Sequence, residues 1–311
     1  MPLMIADFHC DLLSYLVHDP LRTPLDPSAR CSLTQLAEGG VELQVMAIFT
    51  RTEKGSSQQG ALQEKIFHEM IARYPQFFGK KMKAILAVEN AAAFCGEEDA
   101  LQEGLKRVGQ WQERSPIAYI SMTWNEENRF GGGAHTDMGL KEDGKILLEW
   151  MDGKNIAIDL SHTSDRLAYD LLNYIDKKNL HFPIIASHSN FRAICDETRN
   201  LPNDLAIEVA RRGGLIGLNL VRRFLGSNSI TDVLRHVEYA EKIGVFPRLC
   251  LGTDFFDDRL VGKELEHLKP FFHAGFEDSS CFLRVKALLS QQLSPEDTHR
   301  LCYQNLADFF T

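Results

Sequence analysis

The 311-residue sequence is marked first by what it lacks. Its 7 cysteines are odd in number, show no repeated spacing and form no Cys-x-x-Cys pair. No cysteine-based zinc site is therefore expected, and most of these residues, set in apolar surroundings, read as small core side chains. No segment approaches ~20 uninterrupted apolar residues, so no membrane span is expected. The N-terminus enters an apolar run at once, without a charged region before a long apolar stretch, which argues against a secretory leader. A reduced, cytoplasmic compartment is the expectation that follows. There is no basic block either: 34 Lys and Arg stand against 43 Asp and Glu, for a net charge of −9. That balance speaks against a nucleic-acid partner. Internal repeats and low-complexity linkers are also missing.

What is present is a regular alternation. Apolar, strand-like runs recur eight times, at Leu3–Ala6, Val41–Thr50, Lys83–Val88, Ile117–Trp124, Ile156–Leu160, Pro183–Ala186, Leu215–Val221 and Leu249–Thr253. Helical patterns separate them. Ser56–Phe78 carries Leu62, Ile66, Met70 and Ile71 as its apolar face, and Glu98–Glu113 carries Leu101, Leu105, Val108 and Trp111. The last helix opens on Ser294-Pro295-Glu296-Asp297, a capping box with proline at the first helical position. Eight strand–helix units predict an α/β fold with a parallel sheet closed into a (β/α)8 TIM barrel, a single domain over residues 1–311. A doubly wound open sheet is the alternative, but no glycine-rich phosphate loop follows the first strand.

The strand ends carry the chemistry. The first run leads into Asp7-Phe8-His9-Cys10-Asp11, where residues two apart share a face, so His9 and Asp11 converge, with Asp7 joining them if the strand is regular. The third run ends in Glu89, the fifth in Ser161-His162, the sixth in Ser187-His188-Ser189 and the eighth in Asp254. In a barrel all of these fall on the C-terminal rim, where active sites sit. Three imidazoles and several carboxylates suit zinc or a similar divalent metal. They are too many for one tetrahedral metal that keeps a water, and about right for two metals bridged by a carboxylate. A lone histidine after an apolar strand is more often a satisfied core residue; three at equivalent ends reverse that. His18, His68, His181, His236, His267, His273 and His299 lack the placement and read as surface or helix residues. His135 reads as a solvent-exposed loop residue able to approach the rim. Gly131-Gly132-Gly133, with no Lys-Ser/Thr after it, reads as a flexible lid rather than a phosphate cradle.

Taken with Ala87-Val88-Glu89, Ile158-Asp159-Leu160-Ser161-His162, Thr198-Arg199-Asn200-Leu201-Pro202-Asn203-Asp204 and Gly252-Thr253-Asp254-Phe255, these pieces resemble the membrane (renal) dipeptidase family of the metal-dependent amidohydrolase barrels. They run in that family's order across almost the whole chain. The resemblance implies an amidohydrolase-like barrel with two Zn2+ per subunit, His9, Asp11 and Glu89 on one, and Glu89, His162 and His188 on the other. It implies Asp254 as the acid/base residue and Arg199 as the binder of a substrate carboxylate. No Lys ends the fourth strand, in agreement with a Glu bridge. Two departures stand out. Trp124, followed by Asn125, occupies the place of a histidine that contacts the reacting carbonyl in the mammalian enzyme, and Leu220-Val221 replaces a tyrosine near the substrate. Trp124 and Asn125 are accordingly expected at the substrate, with Asn125, Asn128 or His135 supplying the missing donor. A bacterial-type soluble member, and a homodimer, are expected.

The implied activity is hydrolysis of dipeptides, L,D-dipeptides included, by a metal-bridging hydroxide, with Asp254 moving the proton. A binuclear amidohydrolase acting on N-acyl amino acids or lactams is the alternative that the Trp124 and Val221 departures suggest. A non-catalytic barrel that only binds is the alternative from another class.

Overall fold

In the computed structural model, which describes residues 4–226 and 229–311, a strand falls on each of the eight apolar runs, the first reaching beyond its run to Cys10. These are β1 (Ile5–Cys10), β2 (Val41–Phe49), β3 (Lys83–Glu89), β4 (Ile117–Ser121), β5 (Ala157–Asp159), β6 (Ile184–Ile185), β7 (Ile216–Leu218) and β8 (Leu249–Leu251). Leu3, expected to open the first strand, lies outside the described residues. All pairings are parallel, in the spatial order β6-β5-β4-β3-β2-β1-β8-β7. The two outer strands meet through a parallel bridge between Ala186 and Ile216. There the Ala186 amide donates to Leu215 at 2.9 Å and the Gly217 amide donates to Ala186 at 2.8 Å. The sheet thus comes close to full closure as the expected (β/α)8 barrel.

Period-2 alternation divides the strand residues into two apolar sets. Val45, Ile85, Ala87, Tyr119, Ala157, Ile185 and Cys250 form an interior cluster, with Leu306 and the rings of Phe309 and Phe310 from the C-terminal helices packed against it. Phe8 meets Phe309 and Phe310 there at ring-centroid distances of 5.9 and 6.1 Å. Ile48, Leu86, Val88, Ile120 and Ile158 face the other way, into the layer shared with the helices. The later strands are shorter than their apolar runs because the chain leaves the ladder early, at the rim. His162 and Asp254 adopt left-handed backbone, with φ of 67° and 62°, a conformation that costs a non-glycine residue energy and collects at functional sites.

Three expectations require correction. The first strand is not regular: its register against β2 shifts between Asp7 and Cys10. Both Phe8 and His9 consequently reach Tyr119, while Asp7 turns away and accepts from Gln44 Nε2 and the Thr253 amide, each at 2.9 Å. The helix after β2, Ser56–Arg73, keeps Met70 buried and Ile66 and Ile71 packed against the core as expected, but Leu62 is 46% exposed, and Gly60, Gln63, Glu64 and Phe67 are buried beside Met70. Polar residues take the buried positions because they are paired: Gln63 bonds both backbone groups of Phe49, and Glu64 sits between His68 and Arg114. The Gly131–Gly133 run is buried wall rather than lid. A Cβ on Gly133 would lie 2.0 Å from the Trp124 carbonyl oxygen.

His236 lies on a helix as expected, but it is fully buried. Its Nδ1 accepts from the Phe191 amide at 3.2 Å and its Nε2–H donates to the Leu225 carbonyl at 3.1 Å. That wiring requires a neutral ring. Burial first, with Arg235 nearby, lowers its pKa from 6.5 to about 4. The unfolded chain therefore binds the extra proton across this window, and stability falls as pH drops from 6.5 toward 4. We expect a loss of about 3 kcal/mol from this group, at ~1.36 kcal/mol per pH unit. In metal-free protein, denaturation midpoints at pH 7.5 and 4.5 should differ less for His236→Gln than for wild type. Equal acid sensitivity of the two proteins would remove His236 from the account.

Candidate metal centre and active site

The rim brings the strand-end residues together. Glu89 is the last residue of β3, in register with Phe49 on β2 and Ser121 on β4. Its two carboxylate oxygens face different partners. Oε2 lies 3.3 Å from His9 Nε2, whereas Oε1 lies 2.8 Å from His162 Nε2 and 3.8 Å from His188 Nε2. Asp11 and Asp254 approach His9 Nε2 from the other side, both at 3.7 Å. His9, Glu89 and His188, and likewise His9, Asp11 and Asp254, offer ligand atoms within 4.8 Å of one another.

Each imidazole is held through its other nitrogen. His162 Nδ1–H donates to Asn125 Oδ1 at 2.8 Å. The Ser187 hydroxyl donates to Asp159 Oδ2 at 2.6 Å and so accepts from His188 Nδ1–H at 2.7 Å. The Tyr119 hydroxyl donates to the Phe8 carbonyl at 3.3 Å and accepts from His9 Nδ1–H at 2.6 Å. In all three Nε2 is directed inward, and outer-layer bonds of this kind set the orientation of a metal-binding histidine. His9 Nε2, His188 Nε2 and Asp11 Oδ1 are buried with no hydrogen-bond partner, and such groups are costly unless something else binds them. Burial, then the Arg199 charge, lowers the His162 pKa to about 3, and burial also holds His188 well down, so both rings are neutral. Burial works the same way on His9, but Tyr119, Glu89 and Asp11 together outweigh it and draw positive charge to that ring. The donor set and the local potential both fit divalent cations.

Asp254 turns one oxygen to Asn219 Nδ2 at 2.8 Å, leaving Oδ1 toward His9. Burial, with Asp11 and Glu89 close by, raises its pKa to about 7. Above the centre opens a cavity of about 470 Å³, lined among others by Asp11, Glu89, Trp124, His162, Arg199 and Asp254. Arg199 is only 6% exposed, and its Nε and Nη2 have no hydrogen-bond partner; it forms none of the surface pairs with Asp196, Glu197 or Asp204 that an ordinary loop arginine would. Trp124 stands beside His162 at a ring distance of 6.0 Å and against Phe49 at 5.3 Å. Asn125 lines the cavity, but its carbonyl oxygen is engaged in holding His162. Asn128 is consumed by loop bonds to Asn90, Met122, Phe130 and Gly131 and is not among the residues lining the cavity. His135 lies on the cavity wall with its side chain 46% exposed.

The chain matches the family model described as membrane dipeptidase, peptidase family M19, over residues 2–308. The chain belongs to this family. Among relatives, the dipeptidase aclJ of Aspergillus oryzae is 22% identical over 273 residues, 79% of this chain and 62% of that protein. A protein encoded in the pqqA 5′ region of Klebsiella pneumoniae is 27% identical over 195 residues, 57% of this chain. The match spans 66% of the Klebsiella protein's length. A metallopeptidase of Rhodobacter sphaeroides, solved with a phosphinate mimic of the dipeptide L-Ala-D-Ala, superposes with a TM-score of 0.80 at 18% identity, over 99% of each chain. At that identity the likeness establishes the shared fold. No helix among the described residues is long and apolar enough to cross a membrane.

Tyr119, Asp159, Ser187 and Asn219 orient the M19 strand-end residues; Asp159 and Ser187 lie within the motifs that carry the family resemblance, without a role read for them, and Tyr119 and Asn219 stand out only as members of apolar runs. Asp159 is the most connected of them. Fully buried, it accepts from the Ser121 and Ser187 hydroxyls and from the amides of Ser161 and Ser187. It thereby fixes the segments bearing both His162 and His188, and neither His9 nor Asp11. Asp159→Asn is expected to weaken divalent-metal binding ~10–100-fold, seen in chelator competition with native circular dichroism. Unchanged metal affinity would show that Asp159 only supports the fold.

Proposed function

We propose that the protein is a dizinc dipeptidase, its whole chain acting as one barrel domain. The observation that carries this reading is the division of Glu89 between His9 on one side and His162 with His188 on the other. His9, Asp11 and Glu89 would hold one Zn2+, and Glu89, His162 and His188 the other. Bound divalent ions supply Lewis-acid polarisation of a carbonyl and make water more acidic. The remaining work falls to the chain. The Arg199 fork, buried and with donors to spare, binds the dipeptide's C-terminal carboxylate through paired charge-assisted hydrogen bonds. That anchor sets the peptide carbonyl above Glu89. Asp254 Oδ1 takes a proton from the attacking water and delivers it to the leaving amine, while Asn219 keeps the other oxygen turned away. Trp124 walls the pocket where the mammalian enzyme offers a histidine. Seven free cysteines agree with a reducing, cytoplasmic setting. N-acyl amino acids, which also carry a carboxylate, are the second reading, favoured by Trp124 and Val221 on the cavity wall; parallel dipeptide and N-acyl amino acid panels separate the two.

Asp254→Asn tests the proton-transfer role. It should lower kcat by roughly 10²–10⁴ and leave two metals bound. Loss of a metal instead would make Asp254 a ligand, and near-normal turnover would remove it from the chemistry.

Arg199→Ala tests the substrate class. Removing one partner of such a pair typically costs ~2–5 kcal/mol, so kcat/KM for dipeptides should fall by roughly two to three orders of magnitude at ~1.4 kcal/mol per tenfold. Amidating the dipeptide's C-terminus should cost the wild type about as much and add little in the variant. Equal cleavage of free and amidated dipeptides by the wild type rules the reading out.

A further inference from the structure

The two sides of the cavity differ in chemistry. On the side of β2 to β4 it is polar and aromatic, with Arg51, Glu53, Gln59, Trp124 and His135. On the side of β7 and β8 it is mainly apolar, with Arg223 and Asp257 the charged residues among its lining. Val221, the buried residue before the short helix Arg222–Leu225, stands there with Phe224, and the segment 256–271 adds Phe256, Leu265, Leu268 and Phe271. The two pieces of this apolar side are joined. The Arg222 amide donates to the Phe271 carbonyl at 2.7 Å, and Phe256 packs edge-on against Phe271 at 5.3 Å. Phe224, Phe256, Leu265 and Leu268 are only half-buried, so apolar surface faces the cavity.

This apolar lobe adjoins Arg199, whose guanidinium carbon lies 5.6 Å from the centre of the Phe224 ring. Connectivity then restricts what can enter. A carboxylate held by Arg199 has its Cα about 1.5 Å away, so the side chain of that same residue begins beside Phe224 and Val221. The N-terminal residue of the dipeptide lies beyond the scissile bond, on the far side of the metal centre. We infer that this lobe is the pocket for the C-terminal side chain and that the enzyme selects dipeptides with a bulky apolar C-terminal residue. The inference rests on the dipeptidase reading and on Arg199 as the carboxylate anchor. Val221 and the 256–271 segment are its specificity-determining elements. Apolar pockets discriminate by shape and buried area, at roughly 10–200-fold per methylene-sized difference.

The test is a kcat/KM panel on zinc-loaded protein with Ala-Leu, Ala-Phe, Ala-Gly, Ala-Asp and Ala-Lys, the reversed Leu-Ala and Phe-Ala, and the L,D forms of the first two. Ala-Leu or Ala-Phe should exceed Ala-Gly and Ala-Asp by about ten- to a hundredfold, and exceed their reversed forms. Leu265→Ser should narrow the Ala-Leu to Ala-Gly ratio at least threefold, and Leu268→Ser, also half-buried, gives an independent second variant. Cleavage of all dipeptides at similar kcat/KM, or a preference that follows the N-terminal residue, overturns the assignment and leaves the dipeptidase reading standing. Cleavage of no dipeptide removes that reading and this inference with it. A ratio unchanged in both folded variants places the selectivity elsewhere and also overturns it.

Discussion

A carboxylate that ends a buried strand and faces three imidazoles sets the terms for everything around it. Glu89 is 3% exposed, and burial alone would push its proton affinity up; the histidines beside it reverse that and keep it ionised. For the arrangement to hold, each histidine must be fixed by the nitrogen that does not face Glu89. Tyr119 from β4 fixes His9, Asn125 from the following loop fixes His162, and Ser187 after β6 fixes His188. These supports come from three places on the rim, so the centre depends on the barrel's curvature as well as on its own residues. A parallel barrel delivers this because every strand ends at the same face, and adjacent strands put their last inward residues a few ångströms apart.

The parts of this site that could be read in the sequence share one property: they follow uninterrupted apolar runs. Glu89, His162, His188 and Asp254 each stand out as polar residues after such a run, and their equivalence appears once the eightfold alternation is counted. The supporting layer could not be read in the same way. Tyr119 sits inside an apolar run, where a tyrosine is unremarked, and its hydroxyl matters only because β1 is irregular. Nothing in Asp7-Phe8-His9 announces the register shift, and with a regular strand Asp7 would point with His9. Asn219 is an ordinary polar residue until its partner across the rim is known, and Ser187, although part of the Ser187-His188-Ser189 motif, shows its role only once Asp159 is seen beside it. Gln63 and Glu64 mislead helix periodicity for a related reason: burial of a polar residue is decided by partners distant in sequence, Phe49 and Arg114, to which local pattern is blind. The glycine run looked like a lid because glycine confers freedom. It is instead a place where the backbone of one loop touches another, which glycine alone permits.

The cavity walls vary independently of the centre beneath them. Arg199 is aimed inward with unpaired donors although Asp196 and Glu197 are its near neighbours in sequence. What holds it is the Phe224 face and the negative potential of Asp254 and Glu89, both of which offset part of the cost of burying a guanidinium. The residues that differ from the mammalian pattern, Trp124 and Val221, stand on opposite sides of the cavity. Neither side chain hydrogen-bonds into the centre's network, where Val221 takes part only through its amide, which donates to Asn219 Oδ1 at 2.7 Å, so both side chains can change without disturbing the supports of His9, His162 and His188.

Charge bookkeeping gives the strongest physical reason to regard this as a cation site. Asp11, Glu89 and Asp254 crowd around His9 Nε2, each within 3.7 Å. Two further carboxylates are buried just outside, Asp7 beside β1, β2 and β8 and Asp159 beside β4, β5 and β6. Asp7 and Asp159 are satisfied by neutral donors alone, and burial still lifts the Asp7 pKa to about 6. Against this negative potential the chain sets Arg199 and the positive charge drawn to His9, with His162 and His188 held neutral. Carboxylates this close cannot all remain ionised without positive charge among them, and the lifted Asp254, at about 7, shows where the shortfall is felt. An apolar replacement would relieve the crowding at once, yet the fold keeps left-handed backbone at both His162 and Asp254 in order to hold these groups together. Strain and repulsion accepted at the same few residues, with unpartnered Nε2 atoms aimed between them, are the expected signature of a site whose energetics are completed by bound divalent cations rather than by the protein alone.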